Sequence, residues 1–305
     1  MQRNSKILPY LALTCGILAL SFSSLFVRWA VGAPGAVASF YRMLIGAIVF
    51  LPFFLRQPAA QRKIEWRWIF LPMLGGLFTA GDHAIWATAI NYTRVANAIL
   101  LNNLAPLWVA LVALIFWRER LTGKFWLGLV MAISGAVVVI GSDFLSNPQL
   151  NTGNLLGVIS SVFYAAYFLT TQRGREHFST LTYVFLITAI SSIVLLGVNL
   201  GVGNPLSGFP PTTYLSFLGA GVVAQVIGYF SVGYALGHLP ASVVSPTMIA
   251  QPILTALLAI PLAGEPLVPG LWIGGLVVLG GIYLINRSRP SEVRTGATQK
   301  APQSS

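Results

Sequence analysis

The chain has 305 residues, of which 56% are hydrophobic and 8% charged, with a mean hydropathy of +0.78. An ordinary water-soluble domain carries roughly 25% charged residues, so a soluble fold is excluded. The net charge of +11 does not point to nucleic acid, because the bases lie in short links between apolar stretches instead of clustering on a solvated face.

A hydrocarbon core about 30 Å thick takes roughly 20 helical residues. At that window the sequence divides into ten segments, near 7–27, 35–55, 68–90, 95–117, 124–142, 153–171, 181–200, 212–236, 241–262 and 268–286. The first is too long for the apolar region of a signal peptide, and many more follow it. It is expected to be retained as a span. Cys15 is the only cysteine and lies inside that run, so neither a disulfide nor a thiolate metal site is expected. The tail from Arg287 to Ser305 is polar and reads as a disordered segment at the cytoplasmic surface.

Basic loops resist translocation. With a cytoplasmic N-terminus, fifteen Lys and Arg residues fall inside, only Arg28 and Arg94 fall outside, and Arg42 alone lies within a span. That asymmetry predicts both termini in the cytoplasm and an even number of spans. A plasma (inner) membrane location is expected.

Shifting the sequence by 146 residues aligns Val95–Ile140 with Ala241–Asn286 without a gap, with nine identities. They include Pro106 with Pro252, Glu119 with Glu265, Trp126 with Trp272, Gly128 with Gly274, and Gly135 with Gly281. Each half then holds five helices, and an odd number sets the halves in opposite orientations. The expected fold is an all-α membrane protein of ten transmembrane helices in two inverted five-helix repeats around a central cavity, 1–142 and 153–286. Inverted repeats are a recurring construction of secondary transporters, with the solute held near the midplane.

Ionisable groups at bilayer depth usually face a bundle interior or cavity, and the span interiors hold Arg42, Asp82 and His83. Arg42 and Asp82 both lie about 10–12 Å below the outer surface at 1.5 Å per residue, so an ion pair between spans 2 and 3 is possible. The pair either staples the two helices or opens to a zwitterion. His83 reads as a packing residue or a proton relay. Gly75, Thr79, Asp82 and Trp86 share one helical face, and the same offset carries Gly75, Thr79, Asp82 and His83 onto Gly221, Gln225, Gly228 and Tyr229 of span 8. Both faces are expected to meet a shared cavity. Asn102, Asn103 and Gln251 add amides near its centre, as substrate contacts or as helix glue. Trp86, Trp108 and Tyr229 are candidates for stacking or packing, and Trp66 and Trp68 for an interfacial belt. Pro106 and Pro252 free mid-helix carbonyls and are expected hinges.

The residues that bear most on kinship are Phe40-Tyr41-Arg42, the run Trp86–Ala98, and the series Pro106, Glu119-Arg120-Leu121, Gly128, Gly135, with Pro252, Glu265 and Gly281 in the second copy. In these the chain resembles the EamA branch of the drug/metabolite transporter superfamily over nearly its whole length. The resemblance implies a ten-helix inverted-repeat carrier with a central cavity, often an exporter of amino acids or related metabolites and often monomeric. The second copy departs from symmetry, since spans 6 and 7 have no base in their interiors to match Arg42. Charged recognition is therefore expected from one half only.

A membrane enzyme is not expected: Asp82 is the only carboxyl within a span, and the three histidines are too scattered for a zinc site. No metal or cofactor is expected, and the partners are a small solute and the lipid bilayer. The function expected is a secondary transporter that moves amino acids or related metabolites by alternating access, in the export direction. The alternatives are a carrier of cationic or aromatic xenobiotics and a non-transporting membrane scaffold.

Overall fold

The computed structural model describes residues 7–288 apart from 63, 90–91, 93–94, 120, 141–151 and 264–268. The interval 143–152 between the fifth and sixth predicted segments therefore lies almost wholly outside the described residues, as do Arg94, Glu265 and the tail beyond Ser288.

The chain forms an all-α, multi-span membrane bundle. Lipid offers no hydrogen bonds to a bare backbone, so each apolar segment satisfies its own peptide groups by coiling. In chain order the helices are α1 (Leu8–Ser21), α2 (Ser23–Trp29), α3 (Gly35–Arg56), α4 (Phe70–Ala89), α5 (Val95–Asn102), α6 (Ala105–Ile115) and α7 (Gly123–Ile140). The second half comprises α8 (Thr152–Gly174), α9 (Thr180–Val202), α10 (Pro211–Gly219), a π-helical stretch (Ala220–Tyr229), α11 (Phe230–Leu236), α12 (Ala241–Thr247), α13 (Ala250–Ala263) and α14 (Pro269–Arg287). A helical turn at Ala59–Arg62 and a 3₁₀ turn at Trp66–Trp68 join α3 to α4.

Six helical stretches are long and apolar enough to cross a membrane: Leu8–Trp29, Gly35–Arg56, Thr152–Gly174, Thr180–Val202, Pro211–Leu236 and Ala241–Leu262. The apolar parts of α6, α7 and α14 are shorter, and α4 carries Asp82 and His83.

Helix ends follow local chemistry. Ser179 caps α9 by accepting from Thr182 N at 3.2 Å. Gly203 ends the same helix at φ 77°, a left-handed conformation that glycine adopts without Cβ strain.

Small residues decide which helices meet. α7 and α14 touch backbone to backbone: a Cβ on Gly135 would stand 2.7 Å from Gly274 O, and one on Gly281 2.5 Å from Gly128 O. Between lipid-exposed helices such close approach is the main source of cohesion, because lipid removes the hydrophobic drive. α4 packs along α8 and α9, α3 along α9, and α1 along the π stretch and α11. Polar bonds add to this packing: Ser191 of α9 donates to Gly76 O of α4 (2.9 Å), Asn199 of α9 to Ala36 O of α3 (3.1 Å), and Gln225 Nε2 of the π stretch to Thr188 Oγ1 of α9 (2.9 Å).

Candidate functional site

A cavity of about 720 Å³ lies inside the bundle. It reaches the helix ends at Val27 and Arg28 and is bounded deeper by Arg42, Asp82, Trp86, Tyr164, Phe168, Tyr229 and Met248.

Two broken helices shape it. α5 gives way to α6 through a turn at Asn103-Leu104, and α12 to α13 through a turn at Met248-Ile249. Pro106 and Pro252 each occupy the first turn of the helix that follows the break. They were expected in mid-helix. The structure places them where a missing N–H costs nothing, so the carbonyls are freed by the turns themselves. A third break, at Phe22 between α1 and α2, exposes Leu20 O and Ser21 O. Gln251 Nε2 donates to the first at 3.1 Å and Thr255 Oγ1 to the second at 2.9 Å.

Arg42 is buried, with 8% of its surface exposed. Its Nη1 donates to Ser23 Oγ at 2.9 Å, and its guanidinium carbon lies 5.0 Å above the Tyr229 ring. Beyond the Tyr229 contact, its Nε and Nη2 have no hydrogen-bond partner among the described residues. Asp82 is held by other partners: its Oδ1 accepts from Ser160 Oγ at 2.6 Å and from Asn102 Nδ2 at 2.9 Å, and Asn102 Nδ2 also lies 2.7 Å from Ser160 Oγ. The anticipated Arg42–Asp82 ion pair is not formed. The only ion pair of Asp82 among the described residues is with His83, Nδ1 to Oδ2 at 3.7 Å, and only if the ring is protonated. His83 Nδ1 lies 2.9 Å from Thr79 O, a carbonyl that can only accept. That nitrogen therefore carries the hydrogen.

Of the residues singled out in the sequence, Arg42, Asp82, His83, Trp86, Asn102, Asn103, Pro106, Tyr229, Gln251 and Pro252 all border the cavity. Gln225 does not. It is fully buried against Gly46 and Thr188, on the side of the π stretch that faces α3 and α9. Gly75 likewise packs on Tyr183 and Ile187, and Gly221 on Ile45. Only the last turn of each expected face looks inward, because α4 and the π stretch lean on neighbours along the rest of their length. Trp108 donates to Ser161 Oγ at 2.8 Å and serves packing. Trp66 is exposed as a belt residue would be, whereas Trp68 stacks on His177 at 3.8 Å between centroids.

Several cavity residues carried no signal in the sequence, namely Ser23, Tyr164, Phe168, Ser245 and Met248, and neither did Ser160, which holds Asp82 from behind the cavity wall. Small hydroxyls in an apolar helix read as ordinary composition. Only the Ser160-Ser161 pair, in the middle of a span, could have drawn notice.

Comparison with known proteins places these features. The chain is 26% identical over 293 residues to an uncharacterized transporter of Archaeoglobus fulgidus, covering 92% of this chain and 97% of that one. It is 24% identical to a probable terminal-alkyne amino-acid exporter of Streptantibioticus cattleyicolor, covering 92% and 95%. A solved crystal structure superposes with a TM-score of 0.78 at 19% identity, over 90% of this chain and 95% of that one, which is a likeness of fold. The profile of the EamA-like transporter family matches residues 7–141 and again 151–287. The broken helices, the internal cavity and this double match agree: the chain belongs to the EamA-like transporter family, whose members are transporters of small metabolites and not enzymes.

Proposed function

We propose that the chain is an exporter of amino acids or related carboxylate-bearing metabolites, working by alternating access. The observation that carries this reading is Arg42, a buried cation at the cavity wall whose Nε and Nη2, beyond the Tyr229 contact, have no hydrogen-bond partner among the described residues. Guanidinium presents parallel donors that match a carboxylate, and a buried charge without a full set of bonds is costly unless a ligand completes them. Asp82, with Oδ1 fixed by Ser160 and Asn102, offers Oδ2 to an ammonium group. The amino-acid name borne by the Streptantibioticus relative favours the same class.

The reading includes ten spans in two inverted repeats, with both termini cytoplasmic and repeat units at 1–142 and 153–286. Two supports are the double family match and the helix breaks at Asn103-Leu104 and Met248-Ile249, which fall within a residue of each other under the 146-residue offset. A third is packing that respects the exchange of halves. Under the offset Gly128 corresponds to Gly274 and Gly135 to Gly281, and it is Gly128 that meets Gly281 and Gly135 that meets Gly274. Pro106 and Pro252 flank the two breaks and act as hinges.

A second reading has an observation of its own. Trp86, Tyr164, Phe168 and Tyr229 line the cavity together with Asp82, a setting suited to an aromatic cation.

Counterflow in proteoliposomes decides between them. Radiolabelled amino acids are expected to exchange with the same solute loaded inside, and Arg42→Ala to abolish the exchange. Undiminished amino-acid counterflow by Arg42→Ala would sink the first reading. Exchange of an aromatic cation alone, dependent on Asp82, would establish the second.

A further inference from the structure

The cavity wall around Asp82 is sorted by hydrogen-bond direction. Asp82, His83 and Asn102 all border the cavity, and the side chains of the first two are 10% and 11% exposed. Asp82 and His83 are neighbours on α4, with Asp82 Oδ2 3.7 Å from His83 Nδ1. Asn102 ends α5 and bonds the other oxygen of the same carboxylate.

Every side-chain donor of these three residues is spent on the bundle. Asn102 directs its two Nδ2 hydrogens to Asp82 Oδ1 at 2.9 Å and Ser160 Oγ at 2.7 Å, and Ser160 gives its one hydrogen to Asp82 Oδ1 at 2.6 Å. A carboxylate oxygen only accepts, so the amide must present its nitrogen there and is left with Oδ1. His83 donates from Nδ1 to Thr79 O at 2.9 Å. In the neutral ring Nε2 is then an acceptor. Three acceptor atoms remain, Asp82 Oδ2, His83 Nε2 and Asn102 Oδ1, and none has a hydrogen-bond partner among the described residues.

A primary ammonium carries three N–H donors and no acceptor, which is the complement of this set. Each N-alkyl group removes one donor and leaves one acceptor unpaired, and an unpaired polar group in a closed site costs the desolvation of that group. A quaternary cation would meet the charge of Asp82 and satisfy none of the three. Arg42 has donors only and suits the carboxylate end of the same solute.

We propose that Asp82 Oδ2, His83 Nε2 and Asn102 Oδ1 form a three-acceptor socket that selects a primary ammonium group over N-alkylated amines, with His83 and Asn102 as specificity-determining residues. This rests on the amino-acid reading, in which the ammonium meets Asp82, and adds to it which amines are refused.

A graded competition series tests it on the full chain in proteoliposomes. Counterflow of radiolabelled phenylalanine and leucine is competed with each unlabelled amino acid and with its N-methyl, N,N-dimethyl and N,N,N-trimethyl forms. The half-inhibiting concentration is expected to rise roughly 10- to 100-fold with the first methyl, as for one lost charge-assisted hydrogen bond, and to rise again with the second. Equal inhibition along the series, or stronger inhibition by the trimethyl form, overturns the proposal. Two variants separate lost bonds from added bulk. His83→Phe keeps a ring and removes the acceptor, so the parent amino acid should weaken until its ratio to the N-methyl form is near one; His83→Gln, whose side-chain carbonyl can accept, should restore part of the ratio. A ratio in His83→Phe unchanged from the wild type assigns the discrimination to bulk and also overturns the socket. The wild-type series needs no variant, so it decides even where His83→Phe fails to assemble. Counterflow that is indifferent to N-methylation discards the socket and keeps the amino-acid reading, whereas absence of phenylalanine and leucine counterflow in the wild type discards both.

Discussion

The guanidinium of Arg42 lies over the ring of Tyr229, 5.0 Å from its centroid, and not against the carboxylate of Asp82. The cation thus rests on a π face contributed by the second half of the chain, and keeps two donors unspent. A cation over an aromatic ring gains about 0.5–2 kcal/mol, less than a carboxylate would supply.

Arg42→Lys should keep the charge but lose the parallel donors. Losing a charge-assisted hydrogen bond of about 1.5–3 kcal/mol corresponds to a rise of roughly 10- to 100-fold in the solute concentration for half-maximal counterflow. Because Arg42 and Asp82 do not touch, the double exchange Arg42→Asp with Asp82→Arg should restore nothing. Partial recovery of counterflow would show that they pair during the cycle.

Asp82 depends on Ser160 and Asn102 for its orientation. Ser160→Ala removes the 2.6 Å bond and should cost about 1–2 kcal/mol of stability, read as a lowered Tm in detergent. It should also weaken solute binding, since Oδ2 would no longer be held toward the cavity. An unchanged Tm together with unchanged counterflow would remove Ser160 from the site.

The α7–α14 contact sets a steric prediction. Gly281→Leu would drive a side chain into Gly128 O and Ala132 N and should prevent the two helices from meeting, at a cost above the roughly 1–3 kcal/mol of ordinary overpacking. Gly197, in α9, faces open space. Gly197→Ala should be neutral or stabilising by up to about 1 kcal/mol through helix propensity. Yields of monodisperse protein and Tm for the two variants would check the contrast.

Tyr41 ties the segment after α9 to α3. Its hydroxyl donates to Leu206 O at 2.6 Å while its ring stacks on Phe217, 4.6 Å between centroids. Tyr41→Phe keeps the stack and should cost about 0.5–1.5 kcal/mol. Tyr41→Ala loses both and should speed proteolysis between Gly203 and Pro210 markedly. Equal cleavage rates for the two variants would assign the restraint to the hydroxyl alone.

Most of the residues singled out in the sequence do border the cavity, because charge, amide or aromatic groups are conspicuous in apolar sequence. Gln225 was misplaced for an instructive reason. The offset carries Thr79 onto it, and Thr79 also lies away from the cavity. Both positions are one turn too early on their helices, where α4 and the π stretch lean on neighbours, and Gln225 there meets Thr188. The Arg42–Asp82 pair was not foreseeable from depth, because depth along a helix says nothing of rotation about its axis. Ser23 and Ser245 went unread because a lone hydroxyl in an apolar helix has no period and no charge.

Composition by itself determined that the chain lies in lipid and that its segments are helical, since without water every peptide group must be satisfied within its own segment. The 146-residue offset, with its paired prolines and glycines, marked where breaks and close contacts would fall. Only the tertiary structure decided which partner each buried polar group takes. Bonds of about 3 Å depend on helix rotation and on side chains contributed by helices far apart in sequence, such as Ser160 to Asp82 and Tyr229 to Arg42. A one-dimensional pattern fixes depth and periodicity, and those bonds depend on neither alone.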